Sequence, residues 1–384
     1  MPKKLIPYSK QFIDKDDIAA VSLSLKQELI TQGKNLKKLE KLVCKKLKCK
    51  FAIACSSATA GLHMVNSLFK NKKFITSPLT FASTVSTVLL SSNKIDLVDI
   101  DKKTLLIDEK KIKSKSFDGI INVLFSGSSE NSIELRKKFK NKIIIEDASH
   151  ALGAKYSNGA YVGSCKYSDF SIFSLHPVKS ITSGEGGIIT TNSKKYYEKL
   201  KLMRSHGIIR KTDQSEFNKL KNKKLMNKPW YYEIHNIGFN YRLNEIQAAL
   251  AISQFKKLDV FIRFRKKIAL FYDSYFKNNK NIEIPQSDKK IRENSSHHLY
   301  TIRIKGKNNR DILQTKLAKN GIGSQVHYIP IHKLDSFKKR FVKIKLQNTD
   351  FHFNNCLSIP NFYKLDNKKL KKIVNTIQKI TCEN

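Results

Sequence analysis

Three stretches of this chain carry residue types suited to one kind of chemistry. The first is Ser174-Leu-His-Pro-Val-Lys-Ser-Ile-Thr-Ser-Gly-Glu-Gly-Gly187, which follows the apolar run Phe170–Phe173. A lysine just beyond a strand can form a Schiff base with a carbonyl. The small residues and glycines after Lys179 let backbone come close to a ligand. The second stretch, Ile143-Ile-Ile-Glu-Asp147, is an apolar run ending in acid. The third, Ser56-Ser-Ala-Thr-Ala-Gly61, opens a helical pattern. A Schiff-base lysine, a carboxylate at a strand end and a small-residue helix N-terminus are the parts that pyridoxal phosphate chemistry needs.

Each part has a physical role and a plainer alternative. A phosphate needs backbone N–H groups at a helix N-terminus with hydroxyls nearby. Ser57, Ala58 and Thr59 can supply them, and Ser174 adds a hydroxyl; alone, Ser-Ser-Ala-Thr is more commonly an ordinary N-cap. A pyridine nitrogen stays protonated beside a carboxylate, because opposite charge favours the charged form. Asp147 is the candidate, with a simple capping aspartate as the alternative. Strand alternation sends the neighbouring Glu146 to the other face. Lys179 would hold the cofactor and then, as a free amine, act as general acid and base. Phe81, in Pro78-Leu-Thr-Phe81, either stacks on the ring or packs in the core. His150 lies three residues after Asp147 and would face the ring from the helical side. His176 would only fix the local turn.

These residues need a frame. Residues 14–48 read as two helices around the turn Thr31-Gln-Gly-Lys34. Strands are expected at Phe51–Ala54, Lys73–Ser77, Ile95–Asp99, Gly119–Phe125 and Ile143–Glu146, and helices at Ala58–Phe69, Thr80–Leu90 and Ile133–Lys140. Such alternation means an α/β domain with a mostly parallel sheet, whose ligands bind at the carboxyl ends of the strands. The lysine-rich stretch 211–229 reads as a mobile loop. Helices follow at Leu243–Lys257 and Val260–Lys277. Beyond them Leu299–Ile304 and Gly323–Tyr328 read as strands, and Arg310–Asn320 and Lys368–Lys379 as helices. The expected division is a cofactor-binding large domain over 1–255 and a small C-terminal α+β domain over 256–384.

Composition narrows the class. At 384 residues the chain can bury a large core. The net charge of +41 invites a nucleic-acid reading, but ten of the 73 basic residues are arginine, leaving 63 lysines spread along the chain. That pattern fits solvated helix faces, and no recognition motif supports nucleic acid as a partner. The positive field still favours anionic substrates such as nucleotide sugars. No run of ~18 apolar residues suggests a membrane span, and no signal peptide is evident, so a cytoplasmic location is expected. The six cysteines show neither CxxC nor zinc spacing, as expected for reduced thiols and no metal site.

Together these motifs resemble the DegT/DnrJ/EryC1/StrS family of sugar aminotransferases. The matching pieces, in order, are Ser57-Ala-Thr59, Pro78-Leu-Thr-Phe-Ala82, Glu146-Asp-Ala-Ser-His-Ala-Leu-Gly-Ala154, Ser174-Leu-His-Pro-Val-Lys179 with Gly184-Glu-Gly-Gly187, and Gly238-Phe-Asn-Tyr-Arg-Leu-Asn-Glu-Ile-Gln-Ala-Ala-Leu250. The resemblance implies the fold type I (aspartate aminotransferase-like) architecture, a large mixed and mostly parallel sheet domain plus a small α+β domain. It implies that Lys179 is the Schiff-base residue and that Asp147 pairs with the pyridine nitrogen. It also implies that Asn240 reaches the cofactor phosphate of the neighbouring subunit, which makes an obligate homodimer with shared sites. A narrower resemblance runs through Arg204-Ser-His-Gly-Ile208, Pro229-Trp-Tyr-Tyr-Glu233, Ser296-His-His-Leu-Tyr300, Val326-His-Tyr-Ile-Pro-Ile-His332 and Asn355-Cys-Leu-Ser-Ile-Pro360. It is to the subgroup of pseudaminic acid biosynthesis, which aminates a UDP-linked 4-keto-6-deoxy-N-acetyl amino sugar with L-glutamate as donor. Tyr8, Arg242, His327, Tyr328 and His332 are then the implied substrate contacts. The chain departs from the family pattern at Phe125-Ser-Gly-Ser-Ser-Glu130. The alternatives are an aminotransferase for another nucleotide-linked keto sugar, a dehydratase relative, which tends to carry histidine in place of Lys179, and a ligand-binding regulatory homologue without turnover.

Overall fold

The computed structural model describes residues 5–113, 116–210, 220–306, 309–342 and 344–382. After the helices α1 (Lys15–Leu25) and α2 (Lys34–Leu47) come β1 (Phe51–Cys55), α3 (Ala58–Ser67), β2 (Lys73–Thr76), α4 (Ala82–Leu90), β3 (Lys94–Leu97) and β4 (Gly119–Val123). Next are α5 (Ser132–Lys138), β5 (Ile143–Asp147), β6 (Phe170–Ser174), β7 (Gly187–Thr191) and α6 (Lys194–Met203). Strands β1 to β7 form one sheet in the order β1-β7-β6-β5-β4-β2-β3. Strand β7 runs antiparallel to both its neighbours, β1 and β6, while the remaining pairs are parallel. Six strands therefore share one direction, and the carboxyl ends of β1, β4, β5 and β6 meet at one edge.

Side-chain alternation gives the sheet two apolar faces. Ile53, Ile145, Ile172 and Ile189 pack with Met64, Val65, Val85 and Val88 of α3 and α4. Ala52, Ala54, Phe173 and Ile188 pack with Leu39, Val43 and Leu47 of α2. Each buried Val, Leu, Ile, Phe or Met side chain among these contributes about 1.5–3 kcal/mol relative to exposure.

A short hairpin, β8 (Ile208–Arg210) and β9 (Tyr232–Ile234), flanks the lysine-rich stretch. Residues 211–219 of the expected mobile loop lie outside the described residues. The two helices expected at 243–277 are one, α7 (Glu245–Phe276), since no glycine or proline interrupts them. Its first half packs against α1 and α2, and its second half joins another core. That core holds β10 (Ile282–Glu283), β11 (Tyr300–Ile304), α9 (Asn309–Lys319), β12 (Cys356–Ile359) and α12 (Asn367–Cys382), with α8 (Lys289–Asn294), α10 (Asp335–Lys338) and α11 (Gln347–Asn355) between them. Helix α12 buries Leu370, Ile373, Val374 and Ile377, the stripe of a half-buried helix. Ile6 belongs to this core and pairs with Ile322.

The structure corrects two further expectations and adds two elements that the sequence reading lacked. Gly323–Tyr328 is not a strand: Gln325 alone pairs with Ser358 of β12, and the chain then leaves the sheet edge so that His327 and Tyr328 reach a cavity. The strand expected at Gly119–Phe125 stops at Val123, because a 3-10 turn begins at Phe125 with Ser126 at φ +61° and Gly127 at +96°. Strand β7 and helix α6, absent from the sequence reading, complete the sheet behind the lysine loop.

Candidate active site

A cavity of about 530 Å³ opens at the carboxyl edge of the sheet. Lys179, Asp147, Ser57, Ala58, Thr59 and Ser174 all line it. A larger groove of about 840 Å³ runs beside α2 over Lys37, Lys41, Lys201 and Arg210, but neither Lys179 nor Asp147 reaches it. The chemistry belongs to the smaller cavity.

At one end sits the start of α3. Ser57 is its N-cap and accepts the Ala60 N–H at 3.0 Å, while its carbonyl accepts from Gly61. The N–H groups of Ala58 and Thr59, in the first turn, have no partner within the helix. They form an anion-binding end with the helix dipole behind them. Gly187 opens β7 directly over this cap: a Cβ there would meet the Ser57 carbonyl oxygen at 2.3 Å and the Ala58 nitrogen at 2.6 Å. Only glycine lets the strand pass so close. Ser174, at the end of β6, accepts the His176 N–H and keeps its own hydroxyl proton for a ligand.

At the other end Asp147 is fixed by three donors. Thr84 Oγ1 donates to Oδ2 at 2.6 Å, and the Ser149 hydroxyl and N–H donate to Oδ1 at 2.6 and 3.2 Å. Thr84 is in turn 2.7 Å from Thr80 Oγ1, one turn earlier. Glu146 points the opposite way, as alternation requires. It is fully buried beneath the sheet and accepts hydroxyls from Ser132, Tyr156, Ser168 and Ser171. Burial raises its pKa, against those hydrogen bonds.

Lys179 reaches the cavity from the turn after β6, where its N–H donates to the His176 carbonyl. Desolvation draws its amine down to about 8; Asp147 opposes that fall and the Arg265 guanidinium adds to it. His150 lines the same cavity, held well below its usual pKa first by burial, then by Lys179 and His327. It is therefore neutral at pH 7. Its Nδ1 accepts the Ser126 N–H at 3.2 Å, so the ring proton sits on Nε2, which faces the Tyr328 hydroxyl at 3.0 Å. The departing segment at 125–130 thus sets the His150 tautomer. Phe81, 60% exposed, projects from the N-cap of α4 with its ring 6.0 Å from that of Tyr328. It is not core packing.

The far wall comes from the small-domain side and the chain start. Tyr8 and His327 stand 5.4 Å apart, ring to ring, and Tyr328 completes the wall. Three sequence candidates are elsewhere. Asn240 is exposed, bridges Ser205 and does not line this cavity. Arg242 lines the larger groove and bridges Cys55. His332 lies outside the cavity with Nε2 3.1 Å from Asp350. Sequence reading missed Thr84, Ser149 and His298, whose ring is 4.3 Å from that of His150. Thr80 precedes α4 and Thr84 lies in its first turn, so a Thr-x-x-x-Thr spacing across the helix start is the usable signal.

The residues present fit a planar cofactor with a phosphate tail. One end offers unpaired N–H groups, the other a fixed carboxylate, and an amine and an exposed aromatic ring lie between. A mixed seven-stranded sheet with this constellation at its carboxyl edge defines an aminotransferase of the aspartate aminotransferase-like fold. The chain belongs to the DegT/DnrJ/EryC1/StrS aminotransferase family, which matches residues 11–378. It is 38% identical, over an alignment of 389 residues covering 97% of this chain and 96% of the relative, to the UDP-4-amino-4,6-dideoxy-N-acetyl-beta-L-altrosamine transaminase of Campylobacter jejuni. The enzyme of that name from Helicobacter pylori is 31% identical, with 98% of each chain covered. Among solved structures, the Helicobacter pylori aminotransferase PseC, involved in the biosynthesis of pseudoaminic acid, superposes with a TM-score of 0.87 at 30% identity, covering 99% of this chain and all of that one. No helix among the described residues is long and apolar enough to cross a membrane.

Proposed function

We propose that this protein is a pyridoxal phosphate-dependent transaminase that converts a UDP-linked 4-keto-6-deoxy-N-acetyl amino sugar to its 4-amino form, with L-glutamate as donor. The observation that carries the reading is the convergence of Lys179, Asp147 and the α3 N-terminus on one cavity, in a chain that aligns end to end with transaminases of that sugar.

The residues divide the work. Pyridoxal phosphate, when bound, supplies an electron sink that makes the adjacent carbon acidic. The Ala58 and Thr59 N–H groups and the Ser57 and Ser174 hydroxyls hold its phosphate. Asp147 keeps the pyridine nitrogen protonated, and Thr84 and Ser149 keep Asp147 in place. Phe81 would cover a face of the pyridine ring. His150, neutral and hydrogen-bonded to Tyr328, closes the side of the site without adding charge. Lys179 anchors the cofactor between turnovers. During them its free Nζ would move protons in two separate steps, taking one from the α-carbon of the donor in the first half of the cycle and delivering one to carbon 4 of the sugar in the second, a task suited to an amine titrating near 8. Tyr8, His327 and Tyr328 form the wall against which the sugar nucleotide lies.

The reading includes a cytoplasmic homodimer. Asn240 is exposed and does not line the cavity of its own chain, a placement that leaves it available to the phosphate of the partner's cofactor. Its segment is seated firmly: Tyr241 stacks on Phe239 at 4.7 Å and its hydroxyl lies 3.1 Å from His63 of α3.

The test is a product assay. Protein supplied with cofactor, glutamate and the UDP-4-keto sugar should form 2-oxoglutarate and the 4-amino sugar in equal amounts. No amine product from that sugar, while a different keto sugar is aminated, would overturn the substrate assignment.

A further inference from the structure

Behind the lysine loop, on the side away from the cavity, lies Arg265 of α7. It is 3% exposed. Its guanidinium donates to four backbone carbonyls: His298 at 3.1 Å, Asn361, and Val178 and Lys179, each at 3.4 Å. Among the described residues it makes no ion pair. The space around it, about 10 Å³, is too small for a counter-ion. Burying a charge without a partner is costly, and an arginine keeps its charge even where burial draws its pKa down to about 10.

The four carbonyls belong to three separate segments. Val178 and Lys179 are the lysine loop itself. His298 leads into β11 and puts its ring beside His150. Asn361 follows β12, and its side chain donates to the His297 carbonyl at 3.0 Å. One planar fork thus ties the lysine loop of the large sheet to two segments of the small one. The carbonyls satisfy its donors but do not cancel its charge. That charge stands behind the Lys179 amine.

We propose that Arg265 is a positioning residue for Lys179: it fixes the lysine loop against the 297–298 and 361 segments and keeps an uncompensated positive charge behind the amine, which favours the neutral nucleophile. This rests on reading Lys179 as the cofactor-bearing lysine. The other groups facing the amine are Asp147 from β5, His150 beyond it, His298 before β11, and His327, Tyr328, Tyr8 and Glu185 around the cavity. Asp147 favours the charged amine and opposes Arg265, while the three buried histidines are neutral and add no charge at pH 7. Arg265 is the cation set against Asp147. A lysine in its place would keep the charge but not the fork.

The experiment uses full-length cofactor-free protein, so that it measures the amine rather than turnover. Brief labelling with an amine-acylating reagent across pH 6 to 10.5, read by mass spectrometry of the Lys179 peptide, gives the midpoint at which the amine becomes neutral. In the unaltered protein this should fall near 8. Arg265→Gln should raise the midpoint by about half a unit or more, as removal of a nearby like charge does. Arg265→Lys should keep the midpoint while lowering the melting temperature. An unchanged midpoint in Arg265→Gln, or a raised one in Arg265→Lys, overturns the proposal. If Arg265→Gln fails to fold, Arg265→Lys alone decides, by the same criterion. A wrong assignment of the cofactor lysine would show separately, as cofactor fixed to another residue, and would leave these midpoints untouched.

Discussion

Replacing Asp147 with asparagine separates chemistry from folding. The carboxylate accepts three hydrogen bonds, two of them at 2.6 Å. Asparagine keeps the size and one carbonyl oxygen. Its Oδ1 can still accept the Ser149 N–H and hydroxyl. Its amide would face Thr84, whose hydroxyl can turn to accept, because the Thr80–Thr84 pair allows either as donor. The structural loss is therefore the charge assistance of short hydrogen bonds, about 1–3 kcal/mol. The chemical loss is different in kind. Without the negative charge no described acid replaces Asp147 between Thr84 and Ser149: Glu146 lies beneath the sheet, His150 is neutral, and Glu185, the other carboxylate of the lining, belongs to the loop before β7. Removing a fixed group that stabilises developing charge costs at least ~100-fold in the chemical step, about 2.7 kcal/mol. Single-turnover rates with glutamate, on protein shown to be folded and loaded with cofactor, measure that step. A rate within a few-fold of the unaltered enzyme would refute the reasoning and hand the role to another acid.

Three further outcomes follow from named contacts. Lys179→Ala should retain cofactor after gel filtration, because the α3 N-terminus and Asp147 remain, yet show no turnover; loss of cofactor together with activity would make the lysine the main binding contact. Mixing Lys179→Ala with Asn240→Ala subunits should restore part of the activity, since a mixed dimer has one site with both lesions and one with neither; proven exchange without recovery would place Asn240 within its own site or outside both. Glu245, fully buried, accepts the N–H groups of Gly33, Asn35 and Leu36 at the start of α2. Glu245→Gln leaves the Asn35 N–H facing an amide and should cost about 1–3 kcal/mol; an unchanged denaturant midpoint would contradict that cap.

The parts of the site legible in sequence are those written in short contiguous motifs. Lys179, Asp147 and Ser57 each follow a buried apolar strand, and parallel strands bring their carboxyl ends to one edge. Their convergence needs only the sheet rule. Glu146 was equally readable, because its direction depends on alternation alone. Arg265 was not: in sequence it is one cation in Arg263-Phe-Arg-Lys-Lys267, indistinguishable from a solvated helix face. Its burial comes from segments 33 to 96 residues away. Tyr328 and His150 meet across 178 residues, and no local pattern encodes that contact. Strand β7 was hidden for another reason. Gly187-Ile-Ile-Thr-Thr191 is short and begins with a glycine that usually ends an element, yet here glycine is required by the close pass over Ser57. The extended reading of 323–328 failed because its β-prone residues, Val326 and Tyr328, line a cavity wall here instead of a sheet.

The central claim is that amine transfer passes through Lys179 in this cavity. Purified protein loaded with pyridoxal phosphate should be yellow, and borohydride should abolish the absorption band and fix the cofactor covalently. Digestion and mass spectrometry then locate it. The account predicts a single labelled peptide, modified at Lys179. Cofactor fixed to any other of the 63 lysines, or no fixation in protein that turns over, would contradict it.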